Sequence, residues 1–361
     1  FCTPCLHPPH YDEKPHKPSV DTALLARVSG SIESFVSDSA SDEIRAGHFL
    51  ADQRTRTDYI ETFPNLKIVT RDKPHATRRN LSRGWAADSF LHDVAQRFVF
   101  GADSPAKMIQ FSQVFRGWFA AAIQQLEPDM SAVKAHAHVQ NLGFAAHRFD
   151  SAAKPLSRMV LFFFPLLQTM LRLATERSDE KGKAALSFLE WLNPERALQV
   201  AMLADCAAEN LELTRLTDFE GFPTDELPMN LAAFRDRIRA LFTGNDPGCL
   251  RVGFTRHMLR LLDRGFLINL PGREMRIKEL RKPSQLLTTA CLCRMSNWVR
   301  LTEATLLAEF PDFEVVQVFS AFALHPGAGS QHGGHCLRTS QISRLQNAFG
   351  CCDNEAESQL Q

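Results

Sequence analysis

At 361 residues, with 41 Lys or Arg against 41 Asp or Glu, the chain is long enough to bury a large core and carries no net charge. That balance excludes a global field drawing it to nucleic acid or to a membrane, so any such site has to arise from local clustering. Twenty-seven phenylalanines against two tyrosines promise greasy helix packing and few phenols for chemistry.

Residues 1–18, crowded with Pro and His, have no periodicity and read as a loose arm. Leu24, Leu25, Val28, Ile32 and Phe35 recur at helical spacing, predicting a helix over 21–36 that Ser37–Asp42 breaks. Ile44–Ala51 is expected to be a strand ending at Asp52. Leu66–Thr70, behind the turn signal Pro64-Asn65, is expected to be a second, buried strand ending at Asp72. Residues 19–85 therefore read as a small α/β unit, and 86–325 as a helical region.

In that region, Ala86–Phe100 is amphipathic, and Ser104-Pro105 is an N-cap followed by Pro at the first helical position. The helix it opens is expected to reach Glu127 with Met108, Phe111, Phe115, Trp118 and Phe119 on its buried side. Pro128–Gly143 is less regular. Further helices are expected over 151–177, 181–192, 194–216, 225–243 and 254–264, the last closed by Gly265. Phe266–Leu280 carries two alternating runs around Pro271-Gly272, the pattern of a β-hairpin. Helices resume at 296–309 and 313–323, before a Gly-rich joint at 325–334, a short helix near 340–349 and a polar tail. The predicted fold class is mainly α, with a small α/β sheet near the N-terminus and one short hairpin.

Nine scattered cysteines, an odd count, do not resemble a secreted disulfide framework, and the N-terminus lacks a signal-peptide pattern, so an intracellular setting is expected. The chain starts with Phe rather than Met and reads as a fragment. Met159–Leu171 is the greasiest run but is too short for a bilayer and contains Pro165; a core helix and no membrane partner are expected.

The most site-like stretch is Phe63–Arg79, where Asp72, His75 and several cations gather at a predicted strand end. Asp52 and Asp72, twenty residues apart at two such ends, could hold Mg²⁺ for phosphoryl transfer, with capping or salt bridging as the ordinary alternative. A third carboxylate would be needed, from among Glu190, Asp205, Glu303, Glu309 and Glu314. Cys2, Cys5, His7 and His10 are metal-type ligands, but their spacing lacks the folded spacer of a zinc module. His325, His332, His335 and Cys336 sit in a Gly-rich run that lacks the spacing of a Walker loop. Residues 66–83 carry Lys67, Arg71, Lys73, Arg78, Arg79 and Arg83 against Asp72 alone, and 251–282 carry nine basic and three acidic residues. Such runs suit phosphate contacts, although no zinc finger or helix-turn-helix stands beside them.

His147–Arg158 (HRFDSAAKPLSR) resembles the Arg-Trp-Asn-Ser…Met-Leu-x-Arg segment of hAT-superfamily transposases. Arg148, Ser151, Leu156 and Arg158 match, while Phe149 replaces Trp and Asp150 replaces Asn. Asp72-Lys73-Pro74-His75 stands where that family has Cys-x-x-His, and Asp52 where it has its second catalytic Asp. Phe310-Pro311 echoes its C-terminal dimerisation segment. The resemblance implies a ribonuclease-H-like core interrupted by a helical insertion, a nuclear setting, DNA as partner, a homo-oligomer, and an Asp-Asp-Glu triad using Mg²⁺. The first Asp, the Cys and a BED-type finger have no counterpart in these residues. The implied reading is a transposon-derived, DNA-associated chain without complete catalysis. Two rivals stand beside it: a helical interaction scaffold with no nucleic-acid role, and a Mg²⁺-dependent nuclease.

Overall fold

The structure, a computed structural model, describes residues 22–32, 34–37, 41–51, 66, 68–140, 142, 152–218, 226–272 and 276–310. They fall into two compact units divided between Thr70 and Arg71.

In the first unit, α1 (Thr22–Gly30), β1 (Ser34–Ser37), α2 (Ser41–Ala51) and β2 (Ile68–Arg71) follow one another, and β1 pairs with β2 in a two-stranded sheet. The second strand lies where the β-branched run predicts it. Two other expectations are corrected. The helix from residue 21 ends at Gly30, and Phe35 and Val36 belong to β1 rather than to its last turn. Ile44–Ala51, expected to be a strand, is most of helix α2. Glu43 complements the dipole at its start, and Ala46, Leu50 and Ala51 are good helix formers. Gly47 lets this helix lie close to the sheet: a Cβ there would stand 2.6 Å from the Phe35 ring and 2.8 Å from Val69.

The second unit is built from helices α3 (Lys73–Ala86), α4 (Ser89–Ala95), α5 (Pro105–Phe111), α6 (Gln113–Leu126), α7 (Ala132–Gln140), α8 (Ala153–Leu161), α9 (Phe163–Glu176), α10 (Glu180–Trp191), α11 (Pro194–Thr217), α12 (Leu227–Phe242), α13 (Gly253–Arg264) and α14 (Gln285–Glu309). The expected hairpin is present as β3 (Phe266–Leu270) and β4 (Arg276–Leu280), antiparallel, with Phe266 opposite Leu280 and Leu270 opposite Arg276. Its inner face carries Ile268, Leu270 and Leu280, all buried.

Helix α11 is the axis of this unit. Its stretch from Ala197 to Ala207 is buried on every side, so other elements must surround it; Ala197, Leu198 and every residue from Val200 to Ala204 are fully buried. Helices α3, α8, α12, α13 and α14 all pack on it. The expected helix over 151–177 is in fact two, bent by 85° at Phe162. Pro165 is the cause: it has no N–H for the Leu161 carbonyl one turn back, and its ring clashes with that carbonyl. A second break falls at Ser112, whose hydroxyl accepts from the Phe115 N–H at 3.3 Å and starts a new helix. The change of axis leaves Phe111, expected on the buried side, 77% exposed.

No single helix among the described residues is long and apolar enough to cross a membrane. Helices α8 and α9 reach that length only as a bent pair, and Met159, Val160, Phe163, Leu166 and Met170 within them are fully buried in the core.

Candidate nucleic-acid interface

Asp72 follows β2 and its carbonyl accepts the Ala76 N–H at 3.0 Å, opening α3. It is partly buried beside Lys73, whose ammonium is held below its ordinary pKa by burial, against the pull of the Asp72 charge. His75 lies in the first turn of α3 and Arg71 at the end of β2, but both side chains lie outside the described residues. Asp52, Lys67, Arg148, Ser151 and Glu314, the arm with Cys2, Cys5, His7 and His10, the Gly-rich run with His325, His332, His335 and Cys336, and Phe310's neighbour Pro311 also lie outside them. Among the described residues no three His, Cys, Asp or Glu side chains gather as a metal site.

The four candidate third carboxylates among the described residues are each spent on the fold. Glu190 pairs with Arg276, and Glu303 with Arg239. Glu309, fully buried at the end of α14, pairs with Arg83 and, at 3.6 Å, with Arg79 of α3. Asp205 of α11 reaches the start of α13, where it accepts from the Phe254 N–H at 2.7 Å, the Thr255 N–H at 2.9 Å and the Thr255 hydroxyl at 2.6 Å. Burial nonetheless raises its carboxyl to about pKa 6, the donors of α13 pulling the other way. Nucleophilic chemistry has no better footing: burial lifts the thiols of Cys249 and Cys291 to about 12 and Cys206 well above its ordinary value.

The basic stretches divide in the same manner. Of the α3 cations, Arg79 and Arg83 are held by Glu309, which leaves Arg78, partly exposed, as the candidate turned to water. Around α13 and the hairpin, Arg251 pairs with Asp246, Arg281 with Glu279, and Lys282 with Asp263. Lys278 donates to the carbonyls of Leu189 and Glu190. Arg256, Arg260 and Arg264 remain: all three are exposed, and none has an ion pair among the described residues. Spaced four apart, they stand one above another on the outer face of α13, a row of about 12 Å at the helical rise of about 1.5 Å per residue.

That row is the part of the site missed in the sequence, where the 251–282 excess registers only as composition. The signal was present in TRHMLRLLDR, whose arginines keep a four-residue beat while Met258, Leu259 and Leu262 keep the buried one. The arrangement can bind anions along a line; it offers no hydrogen-bonding element shaped for base edges.

No known family, curated protein or solved structure matches the chain.

Proposed function

We propose that this is a DNA-associated, helical protein without catalysis of its own, which holds the phosphate backbone along α13. The observation that carries the reading is the row Arg256, Arg260 and Arg264, exposed and, among the described residues, free of ion pairs, while most of the other described cations nearby are neutralised. Phosphate contacts of this type give affinity without sequence readout. The similarity of residues 147–158 to hAT transposases points to the same partner. The catalytic part of that kinship loses support from α2, which is a helix where the strand before Asp52 was expected, and from the engagement of Glu190, Asp205, Glu303 and Glu309 in the fold. A transposon-derived chain that keeps a ribonuclease-H-like core therefore remains a proposal of ancestry, and nuclear residence and self-association belong with it.

The test is fluorescence anisotropy with a labelled DNA duplex across a salt series. Three phosphate contacts give a slope of log K against log salt of about −2.7. Replacing Arg256, Arg260 and Arg264 together by Gln is expected to abolish that binding, whereas Arg251→Gln with Arg281→Gln, both already paired, leaves most of it. Salt-independent binding, or a triple variant that binds like the parent, would overturn the reading in favour of a helical interaction scaffold. Magnesium-dependent nicking lost in Asp52→Ala would favour the nuclease instead.

A further inference from the structure

We propose that Ser284 is a phosphorylation site for a protein kinase that reads basic residues, and that its phosphate weakens the hold of α13 on DNA by drawing Lys282 away from Asp263. The second half deepens the proposed function and rests on it.

Ser284 ends the run Arg281-Lys282-Pro283-Ser284, which joins β4 to α14 without regular structure. Protein kinases select substrates partly by charge pattern, and a cation three positions ahead of the acceptor hydroxyl suits an acidic groove. To enter such a groove the chain has to be extended and open to water. Among the described residues, Ser82, Ser157 and Thr175 also follow a Lys or Arg at that spacing, but they lie inside α3, α8 and α9, and Thr70 lies within β2. Ser284 alone of these five stands outside helix and strand. Its backbone is extended, at φ −60° and ψ 159°, and it is exposed together with Arg281 and Lys282. Its hydroxyl accepts the Leu287 N–H at 3.3 Å, a bond that a phosphate oxygen at the same place can also accept. In the transfer, Ser284 Oγ bonds to the γ-phosphorus of ATP, the bond from that phosphorus to ADP breaks, and the hydroxyl proton passes to the base of the kinase.

The segment runs beside the end of α13. Strand β3 starts at Phe266, directly after α13 and Gly265, and β4 ends at Leu280, opposite Phe266. Two residues on, Lys282 reaches Asp263 of α13 at 3.2 Å. Asp263 follows Arg260 by three positions, so the two are neighbours on the helix surface, and the ammonium of Lys282 keeps the carboxylate from Arg260. A phosphoserine carries about −1.5 to −2 at pH 7, more than a carboxylate. Ser284 is no more than about 7 Å along the backbone from Lys282, within range of the flexible lysine stem. The ammonium moves to the phosphate through a charge-assisted bond, and Arg281 supplies a second cation, so the new charge is offset where it stands. Asp263, released, pairs with Arg260. The row is left with Arg256 and Arg264.

Two measurements test the two halves. The full chain is incubated with ATP and the catalytic subunit of cyclic-AMP-dependent protein kinase, and its peptides are read by mass spectrometry. One phosphate on Ser284, lost in Arg281→Ala, is expected; no phosphate there, or labelling that Arg281→Ala leaves unchanged, overturns the site. For the second half, phosphoserine is installed at Ser284 during synthesis, so that the effect is read whether or not the kinase acts. With the labelled duplex, the slope of log K against log salt is expected to fall from about −2.7 to about −1.8, and affinity near about 0.1 M salt to weaken about tenfold. The same phosphoserine chain carrying Asp263→Asn is expected to keep the parent's slope. An unchanged slope in the phosphoserine chain, or a fall that persists with Asp263→Asn, overturns the relay and leaves the proposed function standing. An unmodified chain that binds no duplex overturns the proposed function and the relay together, while the site at Ser284 is still decided by the kinase.

Discussion

Asp205 joins two helices through a single carboxyl group, and its raised pKa fixes the sign of a pH effect. Its folded value, about 6, lies above the ordinary carboxyl value of about 3.9. Between these two the folded chain binds more protons than the unfolded one, so stability falls as pH rises from about 4 to about 6 and is level above that. A gap of that size is worth about 3 kcal/mol at most. Asp205→Asn keeps an acceptor for the α13 donors and carries no charge. Urea unfolding from pH 4.5 to 8, values near the range where the raised pKa acts, is expected to show the slope in the parent and its loss in the variant. Asp205→Ala removes the acceptors altogether and is expected to cost about 2–3 kcal/mol at pH 4.5, and less as pH rises toward 6 and the parent itself weakens. Gly253 belongs to the same contact: it sits at φ 79°, and a Cβ there would come 2.4 Å from Asp205 Oδ1. The residue scale is also where the sequence spoke least. Asp205 looked like one of several helix acids, because nothing within residues 200–210 reveals that the start of α13 lies across from it.

Helices and strands were far more legible, and the failures share a cause. Apolar periodicity gave α10, α11, α13 and the hairpin to within a few residues, and Ser104-Pro105 marked the start of α5. What misled was local chemistry with a non-local outcome. Ile44–Ala51 has enough apolar residues to read as a strand, but Gly47 pressed against Phe35 and Val69 shows a helix laid on a sheet. Pro165 was noted as an argument against a membrane span, while its effect on the α8–α9 axis depended on the 85° bend it permits. The basic run at 66–83 looked like an interface and is partly a lock, since Glu309 arrives from residues far along the chain. Helix α3 gives the sharpest element-level prediction. Gly84 lies against α14, and a Cβ there would stand 2.4 Å from the Trp298 indole nitrogen and 2.5 Å from its Cδ1. Gly84→Ala is favoured by helix propensity yet is expected to destabilise by about 1–3 kcal/mol in chemical unfolding, because the indole is 2% exposed and has nowhere to move.

Across the whole molecule, the Arg79–Arg83–Glu309 contact links the first helix of the larger unit to its last described one. Glu309 is fully buried, while the Arg79 and Arg83 side chains that meet it are partly exposed, so removing its charge takes away the carboxylate they share. Glu309→Gln is expected to cost about 3 kcal/mol, and adding Arg83→Gln to recover part of that loss; a double-mutant cycle by urea unfolding measures the coupling. The polar bonds beside it reinforce the same seam: Thr305 donates to Asn80 Oδ1 at 2.7 Å, again joining α14 to α3.

This seam has a consequence for how the chain is made. On the ribosome the amino-terminal part emerges first, so α3 is exposed long before its partner has been translated. Glu309 is more than two hundred positions downstream, and until it appears the guanidinium pair lacks this carboxylate and the groove at Gly84 the indole it receives. The larger unit cannot be sealed piecemeal from its front end. Among the described residues α14 is the last to arrive, and a nascent chain halted before that point would present α3 without the helix that covers it.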